Sequence, residues 1–305
     1  MIYSVGFPDS WTSGKLNKKI LEYLDRDDLV ILDGTWAFPD RLSNLSIDCE
    51  TLVVVSNVDP GGYYDIQDIH KYCNFENLKI VNNFTYPNWT FWGYYCSIYF
   101  RDYKGKDFPL NPINRFLCYN RKPYEHRVSL VKHIVDNGLS DKGIYTLGEG
   151  SEYSYTIPEN THIKNENVGG DVGIPNDINT LGDPKIWESC FVNVITETVE
   201  HSFWVSEKTF KPIIGKRPFL CQNTYVIDKL REWGFRTFDA YWDESDIKSS
   251  LDKICGLSDA EISDMHGDMM DDLEYNHQHF FGEFSAKNLS ELDKIVLDIS
   301  NESKI

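Results

Sequence analysis

The chain has 305 residues, is 41% hydrophobic and 14% aromatic, and carries a formal net charge of −18 at pH 7. This composition supports a sizeable core in one large domain or two of ordinary size. The acidic balance weighs against DNA or RNA as the main partner, because proteins that hold a nucleic-acid backbone usually present a basic face.

The sequence carries no apolar run of about 18 residues, so we expect no membrane span. It opens on a strand-like run without a signal-like region. The cysteines lack paired spacing, which predicts free thiols in the cytoplasm, or in the host cytoplasm if the protein is viral. There are seven: Cys49, Cys73, Cys96, Cys118, Cys190, Cys221 and Cys255.

Four apolar, β-branched runs predict strands in the first hundred residues: 2–7 (IYSVGF), 28–34 (DLVILDG), 51–57 (TLVVVSN) and 78–83 (LKIVNN). The middle two are nearly continuously apolar, as is typical of strands buried on both faces of a parallel sheet. Residues 13–28 have helical apolar spacing. Strand, helix and strand in this order predict an open α/β sheet.

A second strand-and-helix series follows the turn-rich segment 104–114, which is the candidate linker. The predicted strands are 115–120, 143–148, 189–198 and 217–222, and the predicted helices are 124–138, 206–215, 224–234 and a helical tail after residue 246. Residues 149–184 give no assigned element, although 161–167 (THIKNEN) could form a short strand. We therefore predict two facing, Rossmann-like α/β domains with parallel sheets, at 1–111 and 112–283, and a helix at 284–305 that could pack back on the first domain.

The stretch FWVSEKTFKPIIGKRPF (203–219) has an unusual charge pattern for a helix start. Ser206 is the predicted N-cap and Gly215 the predicted end of the helix. Lys208 and Lys211 lie in the opening turns of the predicted helix, where the helix dipole disfavours positive charge. Pro212 lies beyond the first turn, and proline is tolerated only within that turn. An anion bound between the two lysines would account for their positions.

Two carboxylates flank these lysines. Glu197 ends the preceding strand and Glu207 opens the helix. Backbone N–H groups at a helix start favour a phosphate, and a nearby carboxylate can accept hydrogen bonds from sugar hydroxyls. The alternative is an ordinary first-turn acid beside two solvent-exposed lysines.

A second basic helix entrance occurs at CYNRKPYEHR (118–127). A predicted strand ends at Asn120, and Arg127 lies in the first turn of the next helix, where positive charge again opposes the dipole. Arg121 is the second choice for binding an anion. A simple pairing of these cations with Glu125 is the alternative.

The order and spacing of these two segments resemble the donor domain of α1,3-fucosyltransferases and, more closely, glycosyltransferases encoded by large phages. The resemblance covers about residues 115–245 and rests on YNRKPYEHR, on VITET and on VSEKTFKP. It implies a GT-B fold, in which 1–111 is the acceptor-side domain and 112–283 the nucleotide-sugar donor domain.

The resemblance also implies roles for individual residues. Arg127 and Lys208 would bind the diphosphate, Glu207 the ribose, and Glu197 the sugar or its surroundings. The predicted donor-binding set is Asn120, Arg121, Arg127, Glu197, Ser206, Glu207, Lys208 and Lys211.

An inverting transfer needs a carboxylate that deprotonates the acceptor hydroxyl. In the fucosyltransferases this base is a Glu in a loop after a strand of the N-terminal domain. Asp59, in TLVVVSNVDPGG, lies in a similar loop, and Asp33 is the second choice. A turn-forming aspartate is the alternative for either.

Two other features have structural explanations as alternatives. The segment 82–100 is rich in aromatic residues, which could stack on sugars or nucleobases but more often form core. His277 and His279 lack helical metal spacing and are interpreted as surface or packing residues.

Together these features predict a glycosyltransferase that moves a sugar from a GDP- or UDP-sugar to a hydroxyl of a glycan, small molecule or modified nucleobase. The resemblance implies an inverting transfer. We expect no metal or further cofactor, because no compact Asp-x-Asp motif follows a strand. One alternative is a glycosyltransferase acting on a modified base of phage DNA. Another is a nucleotide-sugar-binding protein without catalysis.

Overall fold

The computed structural model describes residues 2–5, 29–34, 47–55, 73–82, 85–120, 122–147 and 181–302. Backbone contacts divide the chain into unit 1 (Met1–Tyr95 and Ser285–Ile305) and unit 2 (Cys96–Phe284). The domain boundaries predicted from the sequence, at 111/112 and 283/284, stay predictions.

Unit 1 contains a four-stranded parallel sheet in the order β1-β2-β3-β4. Its strands are β1 (Ile2–Val5), β2 (Leu29–Gly34), β3 (Ile47–Val55) and β4 (Cys73–Val81). All four predicted strands are therefore confirmed, although β3 and β4 begin four and five residues before the predicted starts. The helix predicted at 13–28 lies outside the described residues.

The aromatic segment forms a buried core in unit 1 and not a stacking surface. Trp89, Phe91, Trp92, Tyr94 and Tyr95 are each at most 1% exposed. Their rings contact one another edge to face or in tilted and stacked pairs, the arrangement that aromatic quadrupoles favour. Most of them lie in helix α1 (Phe91–Tyr99).

Unit 2 contains a second parallel sheet in the order β6-β5-β7-β8. Its strands are β5 (Asn114–Cys118), β6 (Gly143–Tyr145), β7 (Cys190–Ile195) and β8 (Phe219–Cys221). The chain runs from β5 to one neighbour, β6, and then returns to the other side of β5 with β7. The prediction of an α/β architecture with parallel sheets is confirmed for both units.

The described helices of unit 2 include every helix predicted between residues 115 and 283 and one α-helix that was missed, α3. They are α2 (Glu125–Asp136), α3 (Pro184–Ser189), α4 (Glu207–Ile214), α5 (Thr224–Glu232), α6 (Ile247–Gly256) and α7 (Asp259–His279). A kinked segment, Phe280–Phe284, joins α7 to α8 (Ser285–Glu302), which the contact division assigns to unit 1. Residues 148–180, including the possible strand THIKNEN, lie outside the described residues.

Helix α4 begins and ends at the predicted residues. Ser206 is the N-cap and its Oγ accepts from Lys208 N, while Gly215 is the C-cap. The left-handed residue that closes the helix is Lys216 (φ 48°), and Arg217 N donates to Pro212 O at 2.8 Å. Gly215 itself has φ −83°, so conformational freedom does not explain its identity.

Gly215 is required by the close approach of a tryptophan. An ideal Cβ at this position would lie 2.8 Å from Trp187 Cε3. Trp187 is 2% exposed and its Nε1 donates to Leu181 O, so the ring cannot easily yield.

We therefore expect Gly215→Ala to lower the free energy of unfolding by about 1–3 kcal/mol through overpacking. Urea unfolding followed by tryptophan fluorescence would measure this. The matched control is Gly267→Ala inside α7, where the described part of the chain offers no atom within 4 Å of the new Cβ. That control should raise stability by about 0.5–1 kcal/mol, as expected for removing a helix glycine. Equal effects of the two substitutions would contradict the steric explanation.

Two histidines of α7 and several cysteines have largely buried, structural positions. His277 Nδ1 contacts Ile214 O and His279 Nε2 contacts Trp233 O, so both are packing residues. Among the described cysteines, Cys96, Cys118, Cys190, Cys221 and Cys255 are buried free thiols, and Cys49 is buried as well. Within the ranges that the structure describes, no helix is both long and apolar enough to span a bilayer.

Candidate functional site

The sequence-predicted donor residues gather at one edge of the unit 2 sheet. Helices α2 and α4 follow β5 and β7, so the first turns of both helices lie near the carboxyl ends of these neighbouring strands. The strand order reverses between β5 and β7. In open α/β sheets this reversal is where ligands bind, beyond the carboxyl ends of the strands.

A buried hydrogen-bonded pair joins the two strand ends. Thr196 Oγ1 donates to Asn120 Oδ1 at 2.5 Å, and Asn120 N donates to Thr146 Oγ1 at 2.9 Å beyond the neighbouring strand β6. All three residues are at most 1% exposed. Asn120 therefore fixes the geometry of the strand ends with its side-chain oxygen, and it is less available to a ligand than the sequence suggested.

Arg127 points from α2 toward the end of β7. Its Nη2 donates to Thr196 O at 2.9 Å and its Nη1 to Lys122 O at 3.3 Å. The residue is 2% exposed, yet its Nε has no hydrogen-bond partner among the described residues. The ring of Tyr124 lies 4.9 Å from the guanidinium carbon. Burial lowers the pKa of Arg127, which nevertheless remains a cation at neutral pH.

His126 makes a second contact from α2 to the end of β7. Its Nε2 lies 2.8 Å from the carbonyl oxygen of Glu197. Because a carbonyl only accepts, Nε2 carries the proton. Burial lowers the pKa of His126, so the ring is neutral at pH 7 and adds no charge beside Arg127.

Glu197 directs its carboxylate at the first turn of α4. Oε1 accepts from Ser206 N at 2.9 Å and from Thr209 Oγ1 at 2.6 Å, and Oε2 accepts from Ser206 Oγ at 2.7 Å. Glu197 is 1% exposed. A buried carboxylate is costly unless such donors surround it.

Glu207 and Lys208 form an ion pair at the start of α4. Lys208 Nζ donates to Glu207 Oε1 at 2.6 Å, and the side chain of Lys208 remains 28% exposed. Burial alone would lower the pKa of Lys208, but Glu207 and Glu197 outweigh it, and the pKa is raised. Burial alone would raise the pKa of Glu207, but Lys208 and Lys211 outweigh it, and the pKa is lowered.

The expectation that free backbone N–H groups of α4 would bind phosphate is corrected by these contacts. Ser206 N donates to Glu197, Lys208 N to Ser206 Oγ, and Thr209 N to Ser206 O. The protein's own groups therefore occupy these amide donors. An anion here would be held by side-chain cations, with the helix dipole as a weaker contribution.

The positive charge of the cluster exceeds its negative charge by one. Arg127, Lys208 and Lys211 supply three formal positive charges, and Glu197 and Glu207 supply two negative ones, which leaves +1. Lys208 is tolerated in the first turn of α4 because it pairs with Glu207. Lys211 lies in the last turn of this short helix, where the dipole favours a cation, which corrects the position predicted from the sequence.

Of the three other predicted site residues, the structure describes only Asp33. Arg121 and Asp59 lie outside the described residues. Asp33 is the next-to-last residue of β2, where its backbone register pairs it with Ser4 and Val55 in unit 1. Their assigned roles stay predictions.

Three cluster residues were missed by the sequence analysis: His126, Thr196 and Thr209. Each lies next to a predicted residue or one helical turn from it, so proximity to the motif was the available signal. Among the described residues, no group of three or more His, Cys, Asp or Glu side chains is placed to hold a metal ion.

No protein-family model matches the chain, and no curated protein or solved structure matches it significantly.

Proposed function

We propose that the protein is a glycosyltransferase that binds a nucleotide-diphosphate sugar at the carboxyl ends of β5 and β7 and transfers the sugar to an acceptor hydroxyl. The observation that carries this proposal is the pair of cations, Arg127 and Lys208, on the first turns of the two helices that flank the strand-order reversal. In this proposal one diphosphate contacts both cations.

The state of each cation supports binding of an oxyanion. Arg127 is buried with an unpartnered Nε in the described part of the chain, so a ligand oxygen would satisfy a donor that is costly to leave bare. Lys208 is oriented by Glu207 but keeps two further N–H donors on a partly exposed ammonium. Both cations would stabilise the charge that develops on the leaving diphosphate.

The remaining roles follow the resemblance of residues 115–245 to α1,3-fucosyltransferases and phage glycosyltransferases. In this proposal the chain has a GT-B arrangement, Glu207 accepts hydrogen bonds from the ribose, and Asp59 or Asp33 is the base that activates the acceptor. Glu207 is 4% exposed, so it would accept with the carboxylate oxygen that does not face Lys208.

Calorimetric titration with GDP, UDP, ADP and CMP tests the donor site. We expect one nucleoside diphosphate to bind selectively, and Lys208→Ala to weaken its binding by about 1.5–3 kcal/mol, the range for a hydrogen bond to a charged group. The matched control is Lys229→Ala on α5, because Lys229 has a similar exposure (21%) and a similar carboxylate partner, Glu232 at 2.7 Å.

The outcomes separate the candidate functions. Loss of affinity in Lys208→Ala with normal affinity in Lys229→Ala supports the site, and equal affinity in both variants contradicts it. Incubating the protein with the matching nucleotide-sugar in the absence of acceptor then distinguishes enzyme from binder, since transferases commonly hydrolyse their donor slowly. Binding without any donor consumption, even with acceptor screens, would favour the non-catalytic alternative.

A further inference from the structure

Glu197 makes two different contacts, one to each cation-bearing helix. Its carboxylate accepts three hydrogen bonds from Ser206 and Thr209 in the first turn of α4. Its backbone carbonyl accepts one from His126 Nε2 in the first turn of α2, at 2.8 Å. A single residue at the end of β7 thus connects the two helix starts.

We propose that Glu197 is a positioning residue, which holds the starts of α2 and α4 so that Arg127 and Lys208 can contact the same diphosphate. This inference rests on the proposed function, and it differs from the role in sugar contact that the resemblance implies. The residue acts through the two cations and not by touching the ligand.

The contacts of the carboxylate favour positioning over ligand contact. Glu197 is 1% exposed, and both of its oxygens already accept from protein donors at 2.6–2.9 Å. A ligand hydroxyl would have to displace one of these short hydrogen bonds. Such a network instead fixes the orientation of an element at a functional site.

Substitution of Glu197 distinguishes positioning from simple electrostatics, because the two predict opposite signs. Removing a buried negative charge near Arg127 and Lys208 would by itself strengthen the binding of any anion. If Glu197 positions the helices, Glu197→Ala should instead weaken the binding of the diphosphate. Glu197→Gln removes the charge but can still bond Ser206 and Thr209, so it should bind the diphosphate at least as tightly as the wild type.

The readout is the ratio of affinities for a nucleoside diphosphate and its monophosphate, measured by calorimetry with GDP and GMP, and with UDP and UMP. We expect Glu197→Ala to lower this ratio about 10- to 100-fold, because Arg127 and Lys208 can then no longer contact the same diphosphate, and the second phosphate adds less affinity. Glu197→Gln should leave the ratio equal or higher. A general loss of stability would change both affinities and spare the ratio.

Thr209→Val provides a second variant, should Glu197→Ala fail to fold. It keeps every charge and removes only the hydroxyl that donates to Glu197 Oε1. We expect the ratio to fall about fivefold, corresponding to one ordinary hydrogen bond. Thermal unfolding of each variant verifies that the compared proteins are folded.

Each result has one interpretation. Weak binding of every nucleotide by the wild type would contradict the proposed function itself. If the wild type binds a diphosphate selectively, an unchanged or higher ratio in both Glu197→Ala and Thr209→Val overturns the positioning role. A ratio that falls as far in Glu197→Gln as in Glu197→Ala overturns it as well, since it shows that the ligand requires the charge.

Discussion

Arg217→Leu is expected to lower the free energy of unfolding by about 4 kcal/mol, near the upper end of what single substitutions do. Arg217 is 2% exposed, and burial lowers the pKa of its guanidinium to about 10. The six hydrogen bonds that it donates to described residues all go to backbone carbonyls: Trp187, Cys190, Phe108, Gly215, Lys216 and Pro109. Leucine would leave several of these carbonyls buried without a donor.

Urea unfolding measures the loss, and two further variants identify its cause. Arg217→Lys keeps the charge but replaces the planar fork with a single ammonium, so most of the loss should remain. Arg101→Leu is the control for removing an arginine, because Arg101 has a 74% exposed side chain and lies 3.9 Å from Asp102. It should change stability by less than about 0.5 kcal/mol. A loss below about 1 kcal/mol in Arg217→Leu would show that water or neighbouring donors replace the guanidinium.

The features of this fold that were predictable from the sequence depend only on residues adjacent along the chain. Ser206 was identified as an N-cap because a short polar side chain before a helix satisfies its first N–H groups. The helix predicted at 124–138 ends on Gly138, whose φ of 68° is the left-handed value that favours glycine. Such features require only the local backbone, so the sequence contains them.

The starts of β3 and β4 were missed because polar residues interrupt the apolar pattern there. The middle of β3, in contrast, is continuously apolar. In β3, Asp48 and Glu50 are exposed while Cys49 between them is buried. In β4, Asn74 donates to Asp48 Oδ1 at 2.9 Å, so polar residues pair across the two strand starts. A search for continuous apolar runs overlooks strands of this half-exposed kind.

The contacts that define the candidate site could not be predicted because they join distant segments. Arg127 on α2 meets Thr196 at the end of β7, which lies 69 residues further along the chain. The motif spacing indicated Glu197 as a site residue, but not that its carboxylate would bind the first turn of α4. Residue types indicated which side chains to consider for a site, whereas the partners of those side chains depend on the order of strands in the sheet.

Arg127→Ala is expected to lower the rate of donor consumption about 100- to 1000-fold, the effect of removing one donor to a developing oxyanion. In the proposed reaction, the bond from the sugar to the diphosphate breaks and negative charge accumulates on the leaving group. Arg127 is a buried cation that is held by Thr196 O and Lys122 O, with an Nε that has no partner within the described ranges. Its charge is thus in place before the reaction, and no reorganisation is needed to use it.

Hydrolysis of the nucleotide-sugar in the absence of acceptor gives the rate, and titration with the nucleoside diphosphate gives the affinity. If Arg127 acts mainly on the developing charge, the rate should fall by more than the affinity for the ground-state nucleotide. Arg127→Lys should recover part of the rate, because an ammonium restores the charge without the fork.

Arg115 offers a matched control at the opposite end of β5. Like Arg127, it has a buried Nε without a partner in the described part of the chain, and its Nη2 donates to a carbonyl, that of Leu257. Unlike Arg127, it also forms an ion pair, because Nη2 donates to Asp259 Oδ1 at 2.6 Å. Arg115 is the second residue of β5 and thus lies near the amino end of the strand, whereas the proposed site lies beyond the carboxyl end. Arg115→Ala should therefore leave the rate of donor consumption within about threefold of wild type, since salt screens the effect of a charge at the far end of the strand on the proposed site. Equal losses in the two variants would mean that Arg127, like Arg115, supports folding and has no specific effect on the leaving diphosphate.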